Sequence, residues 1–368
     1  MTTRILMTAD TIGGVWTYAL ELTRALQPYN VEVLLAIMGP SPNASQRDAA
    51  RSLPNLSLFK SNYKLEWMPD CWSDVKHAGD WLLHLENRLQ PDLVHLNGYA
   101  HANLPWRNPT LVAGHSCVFS WWQAVRDDAP PAEWQRYKIE VQNGLHAADL
   151  VVTPSAAMLG ALQTHYGPLD NARVIHNGRS TEQFTPRYKR SFILSAGRLW
   201  DEAKNINRVA EIAAELPWPV LVAGEYHHSD QPERHSFVAR QCRWLGSLPL
   251  SQLRRWYASA SIYALPALYE PFGYTPLEAA LSGCALVLGR IESLREIWAD
   301  AAVFVDPNDS EALKHELLAL IDDPRRRDEM SRRARARALE FTSARMAESY
   351  VAAYEELLAE REEFARCA

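Results

Sequence analysis

The stretch Tyr269-Glu270-Pro271-Phe272-Gly273-Tyr274-Thr275-Pro276-Leu277-Glu278-Ala279-Ala280 follows an apolar run, Ile262–Pro266, and opens a helical pattern. A strand, a Pro/Gly loop and a helix in that order are half of a parallel βαβ unit. Within it Thr275 is placed as the helix N-cap, Pro276 suits the first helical position, and Glu278 falls at N3 to complete a capping box. Gly283 is placed to stop the helix. Phe272, Gly273, Tyr274 and Thr275 are expected to aim backbone N–H groups at one point. With the positive helix end, that arrangement suits a diphosphate. Glu270 precedes Pro271, outside the helix and beyond a strand, where a carboxylate stays solvated or binds something polar.

The same alternation runs outward in both directions. Arg4–Thr8, Val31–Met38, Asp92–Leu96, Thr110–Gly114 and Leu150–Thr153 read as strands of a first half, and Val174–Gly178 as one more, ending in a turn. The polar stretch Arg179–Ser191 reads as a linker. Phe192–Ala196, Val220–Ala223, Ile262–Pro266, Ala285–Leu288 and Val303–Val305 repeat the pattern after it. Strands interleaved with helices imply parallel sheets covered on both faces. The chain of 368 residues exceeds what one hydrophobic core usually supports, so two α/β domains are expected. An Ala/Arg/Glu-rich helical region, about Pro324 to Arg366, is broken near Phe341-Thr342-Ser343.

Composition narrows the classes. A net charge of −6 argues against a general affinity for nucleic acid, and leaves membrane contact at most peripheral. Cys71, Cys117, Cys242, Cys284 and Cys367 are scattered, without a C-x-x-C pair, as in a reducing compartment. The apolar run Ile5–Ala9 is too short for a signal or membrane segment. A cytoplasmic protein is the expectation, and with no D-x-D cluster suited to Mg²⁺ no metal cofactor is expected.

Other candidate site residues also follow strands. Gly13-Gly14 lies after the first one and Gly-His115-Ser after Thr110–Gly114. Ser195-Ala-Gly-Arg198-Leu-Trp-Asp-Glu-Ala-Lys204-Asn205 follows the first strand of the second half, and Leu245-Gly246-Ser247 lies further on. In open α/β sheets ligands bind beyond the carboxyl ends of strands, so these loops are the place to look.

Glu270 and Glu278, seven residues apart within Glu-Pro-Phe-Gly…Leu-Glu-Ala-Ala, resemble the E-x7-E motif of retaining GT-B glycosyltransferases of family 4, the glycosyl transferases group 1 set. The likeness extends over nearly the whole chain and is densest in residues 195–290. It implies two Rossmann-like domains with a cleft between them: 1–182 for acceptor, 183–345 for the nucleotide-sugar donor, and 346–368 as a helix crossing back. It assigns Glu270 to the donor sugar, Glu278 to the ribose, Arg198 and Lys204 to the diphosphate, and Gly13-Gly14 to close approach of the phosphates. It places His115 on the sugar and Gly246 in the donor pocket. One residue more than the family pattern separates Arg198 from Lys204, Ser116 stands where the family often has Asp, and Tyr226 where it often has a second Gly.

Trp16, Trp121 and Trp122 are the candidates for acceptor binding, since sugars stack on indoles. The activity implied is transfer of a hexosyl group from a nucleoside-diphosphate sugar, UDP-sugar first and GDP-mannose next, to an acceptor hydroxyl. The alternatives are an epimerase or phosphorylase of the same fold, or a non-catalytic nucleotide-sugar or glycan-binding protein.

Overall fold

Strand segments such as Ala260-Ser-Ile-Tyr-Ala-Leu265 are buried at every residue, as parallel strands covered on both faces must be. The computed structural model describes residues 2–225 and 240–367. They form two units, each around its own parallel sheet: residues 1–123, 128–178 and 343–368 in the first, 124–127 and 179–342 in the second.

The first unit holds β1 (Thr3–Ala9), β2 (Val31–Ile37), β3 (Leu56–Lys60), β4 (Leu93–Leu96), β5 (Thr110–Ala113), β6 (Leu150–Thr153) and β7 (Ala172–Val174). Their order is β3-β2-β1-β4-β5-β6-β7. The second holds β8 (Arg190–Ala196), β9 (Val220–Ala223), β10 (Arg243–Trp244), β11 (Ala260–Leu265), β12 (Ala285–Gly289) and β13 (Val303–Val305), in the order β10-β9-β8-β11-β12-β13. Both sheets start in the middle, run to one edge, then return and run to the other. That is the Rossmann order, and its reversal opens a crevice at β1/β4 and at β8/β11.

Three readings of the sequence need correction. The strand expected over 174–178 is only Ala172–Val174, because Ile175–Gly178 leaves the sheet. The edge strands β3 and β10 were not foreseen: Leu56–Lys60 is half-buried and Arg243–Trp244 is two exposed residues, so neither shows a buried apolar run. The supposed linker 179–191 contains the buried Arg179, a turn at Thr181–Gln183 and the start of β8.

The chain leaves the second unit at Thr342 and returns to the first through the helix Ser343–Cys367. This helix docks by a buried polar contact. His95, at the end of β4 and wholly buried, lies 3.1 Å from the Tyr18 hydroxyl through Nε2 and 2.7 Å from the Tyr354 hydroxyl through Nδ1. Tyr350 stacks on the same imidazole with centroids 5.3 Å apart. Burial lowers the His95 pKa to about 3, so the ring is neutral, with one nitrogen donating and the other accepting.

Tyr354→Phe removes one partner and leaves a buried ring nitrogen unmatched. A stability loss of about 1–3 kcal/mol is expected, read as a lower Tm with unchanged circular dichroism at 20 °C.

Candidate active site

In the second unit the candidate residues converge on the β8/β11 reversal. After β8 the chain passes Gly197 and Arg198, then forms a single turn, Glu202–Lys204. The Asp201 side chain caps this turn by accepting from the Ala203 N–H at 3.1 Å, and its other oxygen accepts from Arg198 Nη2 at 2.6 Å. Asn205 follows in the left-handed region at φ 52° and ties the loop down, donating to the carbonyls of Pro266 and Pro307 at 2.9 and 2.7 Å. A capped turn thus joins Arg198 to Lys204. Lys204 still reaches inward, donating to Glu270 Oε2 at 2.7 Å with both side chains 14% exposed.

Glu270 stands after β11, on a loop held from two sides. Ser293 donates to the Glu270 carbonyl at 2.6 Å, and the Leu268 N–H donates to the Ala203 carbonyl at 2.8 Å. The two strand-end loops therefore brace each other, and the Lys204–Glu270 pair bridges the crevice. Gly246, after β10, accepts from Gly224 after β9 at 3.0 Å. Gly224 is required there, because a Cβ would lie 1.8 Å from the Gly197 carbonyl oxygen. Tyr226 lies outside the described residues.

The helix after Glu270 begins differently from expectation. It spans Tyr274–Leu281, and its N-cap is Gly273, at φ 96° and ψ 77°, with no side-chain cap. Thr275 is not the N-cap, and the capping box with Glu278 does not form. The left-handed turn at Gly273 starts the helix two residues earlier, and the Thr275 hydroxyl is bound instead to Tyr263 at 2.7 Å. The Tyr263 hydroxyl gives its one proton to the Ala196 carbonyl at 3.0 Å and accepts from Thr275, tying the end of β8 to this helix. Gly283 does end the helix, at φ 79°. The Phe272 ring is buried, with centroids 5.8 Å from both Tyr274 and Phe341, so only its backbone is left to meet a ligand.

Glu278 is buried and bound to a residue that sequence reasoning passed over. Arg179 donates to Glu278 Oε1 from Nε at 2.9 Å and from Nη2 at 2.6 Å, with side chains 2% and 6% exposed. The guanidinium also lies over the rings of Phe184 and Tyr274, at 5.2 and 5.6 Å. A lone Arg in a polar stretch carries no periodicity, so nothing but its place just after Asn177-Gly178 marked it. Asp201 and Ser293 were missed for the same reason.

In the first unit the corresponding loops leave β1, β4 and β5. Gly13 is the N-cap of the helix Gly14–Leu26 at φ 108°. Trp16, in its first turn, is 6% exposed. That corrects its candidacy for acceptor stacking, since a buried indole offers almost no face. Trp121 and Trp122 are half-buried on the helix Val118–Arg126, edge to face at 6.1 Å. His115 follows β5 and bonds through Nε2 to Asn97 Oδ1 at 2.7 Å, while Tyr18 meets its ring edge-on at 4.4 Å. Ser116, which stands where the family often has Asp, is exposed, and it is Asn97 that bonds to the ring. Burial lowers the His115 pKa to about 4.

Among the described residues no group of three or more His, Cys, Asp or Glu could hold a metal ion, and no helix is long and apolar enough to cross a membrane.

Residues 179–337 match the family model for glycosyl transferases group 1, and residues 12–183 that for glycosyltransferase family 4. The glycogen synthase of Mycobacterium tuberculosis is 30% identical over 77% of this chain and 67% of its own. Two solved structures share the fold. Sucrose-phosphate synthase from Thermosynechococcus elongatus superposes with a TM-score of 0.83 at 18% identity, over 97% of this chain and 100% of that one. Anabaena HepE in complex with UDP-glucose gives 0.76 at 17% identity, over 97% and 99%.

Two measurements follow from the buried groups. Arg179→Met should cost about 3–5 kcal/mol by leaving Glu278 buried without its cation, and Arg179→Met/Glu278→Leu should cost less than either single change. Denaturant unfolding of the four proteins reads the cycle. The second concerns acid. His95 and His115 titrate near 3 and 4 when folded, against about 6.5 unfolded. Between those values the unfolded chain binds more protons, so stability is full above pH 6.5 and falls as pH drops toward 4. Tm measured from pH 7 to 4.5 should decline, and His115→Gln should soften the slope.

Proposed function

The chain belongs to the glycosyl transferases group 1 family and is a hexosyltransferase, and from that premise we propose that it transfers a hexosyl group from a UDP-sugar to an acceptor hydroxyl with retention at the anomeric carbon. The observation that carries the reading is the Lys204–Glu270 bridge beside Arg198, set at the β8/β11 reversal where this fold binds nucleotides. UDP is preferred to other nucleotides on the strength of HepE, which has the same fold and was solved with UDP-glucose.

In this reading Arg198, Lys204 and the leading N–H groups of the helix Tyr274–Leu281 take the charge that develops on the departing diphosphate. Preorganised cations fixed by Asp201 and Glu270 need little rearrangement as the bond breaks. Glu270 accepts from hydroxyls of the donor sugar, and Glu278, held still by Arg179, faces the ribose. The acceptor hydroxyl attacks the face that the diphosphate leaves, and a phosphate oxygen takes its proton. This scheme assigns no step to a metal ion, and turnover is accordingly expected to persist in EDTA.

Titration of the purified protein with UDP-, GDP- and ADP-sugars, followed by thermal shift and by release of free sugar, tests the donor. Stabilisation by a UDP-sugar with slow hydrolysis is the expected result, and stabilisation by GDP- or ADP-sugars alone would displace UDP. Glu270→Ala should abolish turnover with Tm little changed. Arg198→Ala should lose about 2–4 kcal/mol of transition-state stabilisation, roughly 30- to 1000-fold in kcat/KM. An unchanged kcat/KM would remove Arg198 from the mechanism.

A further inference from the structure

The polar atoms around His115 have an order of donation that can be followed from one end. Thr8, buried in β1, presents a backbone carbonyl, which can only accept. Asn97, just past β4, donates to it from Nδ2 at 2.7 Å, and the Asn97 backbone N–H donates to the Thr8 hydroxyl at 2.9 Å. The side-chain amide cannot be turned over, since Oδ1 would then face the Thr8 carbonyl at hydrogen-bond distance. Its Oδ1 therefore points the other way, at His115 Nε2 2.7 Å off, and must accept there.

What surrounds the imidazole keeps it uncharged. The Tyr18 ring meets it edge-on, and Tyr18 in turn contacts His95 and Tyr350. His95 is itself neutral. Burial takes the His115 pKa to about 4. A neutral imidazole carries one N–H, and here Asn97 requires it at Nε2. The lone pair is left on Nδ1.

We propose that Asn97 is a positioning residue that holds His115 as the Nε2–H tautomer, so that a sugar reaching His115 meets only an acceptor, Nδ1, and is selected for a hydroxyl that donates. The inference rests on the hexosyl-transfer reading and on the family resemblance, which places His115 on the donor sugar. It adds a direction to that contact: a hydroxyl that donates is accepted, whereas fluorine, a carbonyl or a phosphate oxygen at the same place meets a lone pair. Because Thr8 and Asn97 end the two strands of the β1/β4 reversal, the lock sits on rigid elements rather than on a loose loop.

Long-range nitrogen–proton NMR of the histidine rings at pH 7 reads the tautomer directly, with His115→Ala assigning the signal. The wild type should show His115 protonated at Nε2 alone, and Asn97→Ala should show both tautomers. A wild-type ring protonated at Nδ1, or an Asn97→Ala ring unchanged from wild type, would overturn the proposal.

The substrate half is read separately, by hydrolysis of UDP-glucose and its 2-, 3-, 4- and 6-deoxyfluoro analogues. One position should carry a kcat/KM penalty, about tenfold for one lost hydrogen bond, that shrinks in Asn97→Ala. If the NMR is as expected but no analogue's penalty depends on Asn97, the contact with the sugar is wrong and the tautomer assignment stands alone.

Discussion

The buried pair Arg179–Glu278 is the constraint on which the second unit's site depends. A carboxylate 4% exposed, on the first turns of a helix, is tolerable only with a fixed cation, and Arg179 supplies it with two hydrogen bonds to one oxygen. Arg179 is also where the chain enters the second unit, and its backbone N–H donates to Phe341, one residue before Thr342 ends it. The helix Tyr274–Leu281 is thereby tied to the place where the chain comes in and goes out. One ion pair thus sets the height of the helix that follows Glu270.

The strand order then decides what can meet. Side chains a long way apart in sequence, Arg198 and Lys204 after β8 and Glu270 after β11, become neighbours because β8 and β11 are adjacent at the reversal. The same logic places Thr8 beside Asn97 in the first unit, since β1 pairs with β4. His115 comes from β5, the next strand along. Each sheet therefore repeats one arrangement with different chemistry: an ion pair across β8/β11, an uncharged relay of donors across β1/β4.

Much of this was legible before any coordinates. The strands in the interior of each sheet are unbroken apolar runs, and those runs announce themselves. The edges β3 and β10 do not, because half-exposed strands lose the pattern. Glu270, Arg198, Lys204 and His115 were found because they follow strands. Asp201 beside Arg198, Asn97 beside His115 and Arg179 beside Glu278 are polar residues whose meaning is tertiary. Asn97 was visible only as half of a turn dipeptide, and its role needs Thr8, which is 89 positions away. The helix start at Gly273 was misplaced because Thr-Pro-Leu-Glu satisfies a local capping rule, while Tyr263 claims the threonine hydroxyl from outside the helix. Local rules lost wherever a buried hydroxyl or carboxylate had a distant partner.

The pairing of charges bears on how such a site can favour a transition state over a ground state. Arg198 is engaged by Asp201 and Lys204 by Glu270, so neither cation is a loose surface charge. In the proposed scheme a bound diphosphate shares those cations with the carboxylates, and gains most when its own charge is greatest. Its charge rises as the glycosidic bond breaks. In that scheme, cations held in place by Asp201 and Glu270 meet the rising charge without reorganising, and this preorganisation is what favours the departing diphosphate over the intact donor. Glu270 lies at the centre of the proposed scheme, because Lys204 engages its Oε2 and its Oε1 is the oxygen assigned to the sugar hydroxyls.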